Sequence, residues 1–221
     1  MATVKKVLPK HRLVLYDVEW RDYERFLRLF SDRPGVHLTY DRGVLEIMTL
    51  SHQHENFGRT IGRFIVVLTE ELDLPVKGGG STTFRRCQRK RGLEPDECYW
   101  IQSEALVRGK DDINLQTDPP PDLALEVDIT RSSLNRLRIY AALGIPEVWR
   151  LERQIPVCYL LGPDGRYKVS KTSKVFSGLR PAELSSFLAL RGQMDENAMV
   201  REFRAWVRQQ RAAGNLGSSK D

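Results

Sequence analysis

The feature that most restricts how this chain can fold is a short apolar run that carries a carboxylate. The run, Leu123-Ala124-Leu125-Glu126-Val127, follows three consecutive prolines at 119–121. A nearly continuous apolar run is typical of a strand buried on both faces, and the prolines favour an extended entry to it. We therefore predict a central strand over residues 122–129, in a mixed sheet that is flanked by helices.

Apolar spacing and turn residues predict the other elements. Helices are expected over 20–30, 51–74, 132–143, 181–190 and 195–212. Strands are expected over 37–40 and 44–48 as a hairpin, and over 76–85, 98–102, 148–151, 157–161 and 167–172. The fold class is therefore α/β or α+β, in a single domain over 1–221. A loose basic N-terminal arm (about 1–14) and a C-terminal helix (about 195–212) that docks on the core complete the expected domain.

Composition excludes several classes of protein. Hydrophobic residues make up 41% of the 221 residues, too many for a disordered chain. No apolar run approaches the roughly 20 residues that span a bilayer, and residues 1–6 hold no apolar stretch of a signal peptide. The three cysteines have no metal-ligand spacing and are expected to be reduced thiols, which favours a cytoplasmic protein.

The charge balance favours a polyanionic partner. The net charge is +6 and the pI is about 9.3, which suits binding to phosphates. Five basic side chains fall within seven residues: Arg85, Arg86, Arg89, Lys90 and Arg91. They form either a solvated loop or a phosphate-contacting one, and in the second case they predict a DNA-binding segment.

Glu126 needs an explanation, because an ionised carboxylate in a buried strand is costly unless it is paired or bound to a metal. One interpretation is a buried ion pair with an arginine. The other needs a second carboxylate, and Asp96 supplies one at the start of a predicted strand, although Pro-Asp is also a common turn pair. Two carboxylates at the ends of adjacent strands can hold Mg²⁺, whose remaining positions take water and phosphate oxygens.

These residues match a known pattern. Pro95-Asp96 followed by Glu126-Val127-Asp128 resembles the PD-(D/E)XK nuclease signature, in which an acidic residue, any residue and a lysine follow a Pro-Asp. The wider chain is similar to the Uma family of restriction endonucleases, formerly a domain of unknown function, over about residues 14–190. The segments that carry the likeness are 45–48, 51–55, 79–84, 92–99, 120–130 and 140–150.

The resemblance implies a restriction-endonuclease-like core with Mg²⁺ (or Mn²⁺) at Asp96 and Glu126. Asp128 stands where the superfamily signature has its lysine. The family typically moves that lysine to the next helix, four residues before a tyrosine, and here that position holds Arg136. An arginine can orient a phosphate but cannot act as a base, so water activation would come mainly from the metal. A solvent-facing helical charge is the alternative interpretation of Arg136.

Three further residues are candidates for the site. Glu55 matches the third acidic ligand that such folds place on this helix, although it is also a favourable charge for the first helical turn. His54 matches the family beside it. Asp122 is an alternative metal ligand, but we prefer a role in strand entry. A zinc site at 52–54 is discounted, because no other Cys or His has suitable spacing.

The resulting hypothesis is a Mg²⁺-dependent endodeoxyribonuclease with DNA as its partner, no membrane association and, by analogy with enzymes of this fold, a homodimeric assembly. The missing lysine motivates an alternative, a catalytically degenerate nucleic-acid-binding protein of the same fold. A third possibility is a scaffold in which Glu126 belongs to a structural ion pair.

Overall fold

The computed structural model describes residues 3–7, 12–33, 35–49, 51–128 and 134–218. The helices in these ranges are α1 (Trp20–Phe30), α2 (His52–Glu71), α3 (Arg136–Leu143), α4 (Leu184–Leu188) and α5 (Glu196–Ala212). The strands are β1 (Thr3–Val7), β2 (Arg12–Tyr16), β3 (Val36–Asp41), β4 (Val44–Thr49), β5 (Lys77–Gly78), β6 (Phe84–Arg86), β7 (Arg91–Leu93), β8 (Glu97–Trp100), β9 (Leu123–Asp128), β10 (Glu147–Glu152), β11 (Ile155–Leu161), β12 (Tyr167–Ser170), β13 (Phe176–Ser177) and β14 (Gly217–Ser218).

Most of these strands belong to two six-stranded sheets. The first has the order β1-β2-β4-β3-β7-β6, and its strands pair antiparallel. The second has the order β12-β11-β10-β9-β8-β5 and is mixed, because β9 and β10 run parallel. β13 and β14 form a small separate pair. The predicted mixed α/β class is confirmed, and the strands divide between two main sheets.

Strand β9 lies inside the mixed sheet, as its apolar run predicts. Leu123 and Leu125 pack into a core that includes α2 and α5, whereas Ala124 packs into a second core that includes α3. In the first core the rings of Phe64 and Phe203 lie 4.4 Å apart between centroids. Alternate residues of β9 therefore enter two different cores, which is why the run is almost continuously apolar.

The predicted hairpin is present as β3 and β4. Arg42 and Gly43 have positive φ angles of 47° and 97°, as a tight turn between antiparallel strands requires. Helix α1 covers this sheet through Tyr23, whose ring stacks on Tyr40 at 4.7 Å. The first sheet therefore has its own small core beside that of the mixed sheet.

The N-terminal part differs from the loose arm that its polar composition predicts. Residues 3–7 and 12–16 form β1 and β2, and β2 pairs with the edge of β4. Val14 and Leu15 are buried by this pairing. The backbone N–H and C=O groups at the edge of β4 therefore pair with a segment whose own sequence only weakly predicts a strand. Residues 1–2 and 8–11 lie outside the described residues.

Other boundaries differ as well. The strand expected over 76–85 is split into β5 and β6 by the glycine-rich turn, and the helix expected over 181–190 is a 3₁₀ turn followed by α4. Helix α3 begins at Arg136, and the Asn135 side chain caps it by accepting from the Arg138 N–H at 3.2 Å. Residues 129–133, which include the end of the predicted strand and the start of the predicted helix, lie outside the described residues.

The C-terminal helix packs along α2. Arg204 and Arg208 of α5 both bind Glu71 of α2, with N–O distances of 2.6 and 2.9 Å. Part of its basic stripe is thus used for docking on the core. Of the helices described, none is both long enough and apolar enough to cross a membrane.

Candidate functional site

Two carboxylates that are distant in sequence meet where β8 and β9 pair. The antiparallel register sets Glu97 opposite Leu125, so Asp96 stands opposite Glu126. The Asp96 N–H donates to the Leu125 carbonyl oxygen at 3.1 Å, and its Oδ2 accepts from the Val127 N–H at 2.6 Å. The structure thus brings together the pair that the sequence singles out.

Both oxygens of Glu126 face helix α3. The Arg136 Nε lies 2.6 Å from Oε1 in an ion pair, although its N–H is not aligned for a hydrogen bond, and the Tyr140 hydroxyl donates to Oε2 at 2.6 Å. Arg136 and Tyr140 are four residues apart and share one helix face. Burial, and next the negative charge of Glu126, raise the pKa of Tyr140 well above its ordinary 10.0, so the phenol keeps the proton that it donates.

Arg136 is buried, with 8% of its surface exposed. Its Nη1 donates to the Thr39 hydroxyl and its Nη2 to the Glu94 carbonyl oxygen, each at 2.6 Å. Burial, the largest single effect, acts to lower the Arg136 pKa, but the charges of Glu126, Tyr140 and Asp96 together outweigh it and the pKa is raised. The guanidinium therefore stays charged and ties β9 to β3 and to the turn before β8. A solvent-facing charge, the alternative interpretation, is excluded.

Helix α2 places His54 against Asp96. Ser51 caps the helix as predicted, its hydroxyl accepting from the His54 N–H at 3.2 Å, and the His54 Nε2 lies 3.5 Å from Asp96 Oδ2. Burial lowers the pKa of His54 and favours its neutral form. Its buried Nδ1 has no hydrogen-bond partner among the described residues.

The charges around Asp96 and Glu126 do not balance when both carboxylates are ionised. Asp96 and Glu126 supply two negative charges against the one positive charge of Arg136, while His54 is neutral. Burial, and next the charge of Glu126, raise the pKa of Asp96 well above its ordinary 3.8. A bound cation would relieve this repulsion, so the donor set fits a hard divalent ion, which prefers carboxylate oxygens.

The two carboxylates open into different cavities. Asp96 lines a cavity of about 280 Å³ together with His54 and Glu55, whereas Glu126 lines one of about 400 Å³ together with Asp128. Over the described ranges, no cluster of three or more His, Cys, Asp or Glu side chains could hold a metal. The ligands offered to an ion are therefore at most the two carboxylates, and water or phosphate oxygens would fill its other positions.

The remaining acidic candidates have partners of their own. Asp128 forms an ion pair with Arg150 on β10. Asp122 lies just before β9, at the other end of the strand from Glu126, and its Oδ2 accepts from the N–H groups of Ile101 and Ser103 at 2.7 and 3.0 Å. Asp122 therefore fastens the loop after β8 and lies apart from Asp96 and Glu126.

The five clustered basic residues do not form one surface. Arg91 is paired with Asp41 at 2.8 Å, and Arg86 donates to the Leu115 carbonyl oxygen at 3.4 Å. Both are therefore engaged by the protein itself. The exposed members of the cluster are Arg85, Arg89 and Lys90.

Thr39, Glu94 and Tyr140 are parts of the site that the sequence does not single out. Tyr140 leaves one signal, its four-residue spacing from Arg136. Thr39 and Glu94 reach the guanidinium only through the packing of β3 and of the turn before β8. The Glu94 carboxylate is itself fixed, since it accepts from the Thr83 hydroxyl at 2.8 Å.

Comparisons with known proteins agree with the resemblance in sequence. The Uma2 family model, described as "Putative restriction endonuclease", matches residues 20–194. No curated protein matches the chain. A solved structure, "a putative nuclease belonging to DUF820 from Anabaena variabilis ATCC 29413", is similar with a TM-score of 0.43 and 11% identity, over 77% of this chain and 90% of that one. A likeness at that level adds nothing to the family match, which spans well over half of the sequence. The chain belongs to the Uma2 family.

Proposed function

We propose that this protein is a divalent-metal-dependent endonuclease that hydrolyses phosphodiester bonds in DNA. The observation that carries the proposal is the meeting of Asp96 and Glu126 on neighbouring strands, with more negative than positive charge around them. Membership of a family described as "Putative restriction endonuclease" supports the same chemistry. Two carboxylates that leave room for water and phosphate oxygens suit Mg²⁺ or Mn²⁺.

Asp96 and Glu126 would hold the ion, and Glu55 would assist from the first turn of α2, where it lines the same cavity as Asp96. When bound, the ion lowers the pKa of water and offsets the negative charge that develops on the phosphate. The protein keeps the ligands in place. The Val127 N–H orients the Asp96 carboxylate by donating to its Oδ2.

In this proposal Arg136 acts through Glu126. Its three nitrogens all face protein oxygens, and its side chain is almost completely buried. We therefore assign Arg136 and Tyr140 to positioning Glu126, and not to direct contact with the phosphate. An arginine also stays protonated, so it takes no proton from the attacking water.

Nicking of supercoiled plasmid DNA, with Mg²⁺ or Mn²⁺ and with EDTA, tests the proposal. Asp96→Asn and Glu126→Gln should abolish nicking, because each removes one ligand charge and keeps the size of the side chain. Glu152→Gln is the matched control, since it changes a half-exposed carboxylate at the end of β10 and should cleave like the wild type. Nicking that persists in EDTA or in Asp96→Asn would overturn the proposal.

A second candidate is a nucleic-acid-binding protein that has lost catalysis. The observation in its favour is the arginine at position 136, because no lysine among the described residues lines either carboxylate cavity. A wild-type protein that binds DNA but leaves plasmid intact with both metal ions would select this candidate.

A further inference from the structure

A groove of about 910 Å³ adjoins the cavity of Asp96. Helix α1 and the loop after it form one wall, and β6 with residues 113–116 forms another. Gly35, His37 and Ser81 line both the groove and the Asp96 cavity, so the two lie side by side. The volume is near the upper end of the range of about 300–1,000 Å³ that encloses a drug-sized ligand. A groove of this volume suits a short run of nucleotides.

Arginines supply positive charge along this groove. Arg28, Arg33 and Arg85 line it and are exposed. Within the described ranges neither Arg28 nor Arg33 forms an ion pair, whereas the α5 arginines that face α2 are bound to carboxylates. Unpaired guanidinium groups are the donors that phosphodiester groups bind.

The acidic residues of the groove do not cancel this charge. Glu24 lies 3.9 Å from Arg85 and is offset by it. Glu94 is largely buried, and its carboxylate accepts from the Thr83 hydroxyl and the Leu38 N–H. The walls that face a ligand are therefore positive on balance.

Aromatic side chains line the same groove as these cations. Trp20 and Phe30 line the groove, and edge-on contacts with Tyr23 and Tyr40, at 5.2 and 5.6 Å, hold the Trp20 ring in place. A rigid ring beside guanidinium groups is the combination with which proteins stack unpaired bases while they follow the phosphate backbone. A duplex hides its base faces, so an unpaired strand uses this surface better.

We propose that the groove binds a single strand of nucleic acid and leads it to the cavity of Asp96. This inference rests on the proposed function and adds to it that the substrate is unpaired where it enters the site. The volume, the charge, the aromatic lining and the residues shared with the Asp96 cavity all favour a strand of DNA or RNA that lies along α1 with its phosphates on Arg28 and Arg33.

Binding without cleavage tests the inference. Fluorescence anisotropy in EDTA compares labelled single-stranded DNA, single-stranded RNA and duplex DNA of equal length over a series of salt concentrations. Arg28→Glu and Arg33→Glu should weaken single-strand binding several-fold and lower its salt slope by about 0.7 for each phosphate that the protein no longer neutralises. Arg201→Glu is the matched control on the exposed face of α5 and should bind like the wild type. All three sites are exposed, and thermal melting checks that each variant is folded.

Preferred binding of either single strand, weakened several-fold in both groove variants and kept in the control, supports the inference. Duplex binding as tight as single-strand binding, or charge reversals that change nothing, overturns it. The two proposals fail differently. If the wild type binds single strands through the groove but does not cleave them, only the nuclease proposal is refuted. If the wild type cleaves but does not prefer single strands, only this inference is refuted.

Discussion

The Tyr140 hydroxyl and the Glu126 carboxylate, on helix α3 and strand β9, are joined by a buried hydrogen bond of 2.6 Å. Arg136, on the same helix face, lies against the other carboxylate oxygen. The direction in which Glu126 points therefore depends on how α3 docks on the sheet. Substitutions in α3 should therefore alter the site through Glu126, without a direct contact to Asp96.

Tyr140→Phe should lower both stability and cleavage. The ring stays in place, but Glu126 Oε2 loses its donor in a buried site, which costs about 1–3 kcal/mol. Urea unfolding measures this loss, and kcat should fall more than KM changes because Tyr140 positions a ligand. Tyr159→Phe is the matched control, since Tyr159 donates at 2.7 Å to the half-exposed Glu152. Equal losses in the two variants would contradict a positioning role for Tyr140.

Arg136→Met should be far more destabilising in the wild-type background than in Glu126→Gln. Removing the guanidinium leaves a buried carboxylate without its counter-charge, a change that costs about 3–5 kcal/mol. A double-mutant cycle by urea unfolding gives the coupling between the two residues, expected at about 0.5–3 kcal/mol. The half-exposed pair of Arg150 and Asp128 is the control and should give a smaller coupling. Strict additivity of the Arg136 and Glu126 variants would show that their ion pair contributes nothing.

The parts of the fold with a local signal were predictable from the sequence. The Ser51 cap, the turn at Arg42 and Gly43 and the apolar run of β9 each lie within a few residues, and each is found in the structure. The strand β2 was not predictable, because its pairing depends on an open edge of β4 that its own residues do not encode.

The candidate site was predictable only in part. Glu126 can be recognised from the sequence, because it is a charged residue within an apolar run. The register that sets Asp96 opposite to it cannot be predicted from the sequence of either strand. The motif resemblance supplied that link. No local pattern shows that Arg136 faces inward or that Thr39 meets it, because both depend on the docking of α3.

Divalent ions should stabilise the wild-type protein but not Asp96→Asn. A ligand that binds only the folded state adds about 2.7 kcal/mol at about 100 times its Kd. Without metal the variant should be the more stable of the two, since it removes a buried charge that Glu126 repels, and an asparagine oxygen can still accept from the Val127 N–H. Thermal melting in EDTA, Mg²⁺ and Mn²⁺ measures both effects. A wild-type Tm that neither Mg²⁺ nor Mn²⁺ changes would refute ion binding at Asp96.

Stability should fall as the pH drops through the range in which His37 titrates. Burial, and next the charges of Arg136 and His54, lower the His37 pKa from 6.5 to about 4. Between these values the unfolded chain binds the proton that the folded protein excludes, so stability is complete above 6.5 and is lost towards 4. The loss from this group is about 3 kcal/mol at most.

Urea midpoints just above pH 6.5 and just above pH 4 isolate the contribution of His37 when the wild type is compared with His37→Gln. Glu94, 3.7 Å from the His37 Nδ1, acts in the opposite sense, because burial raises its pKa and its stabilising effect fades as the pH rises. The effect of Glu94 is present in both the wild type and His37→Gln. The variant should therefore lose less stability on acidification than the wild type does. A variant as acid-sensitive as the wild type would show that His37 is protonated in the folded protein.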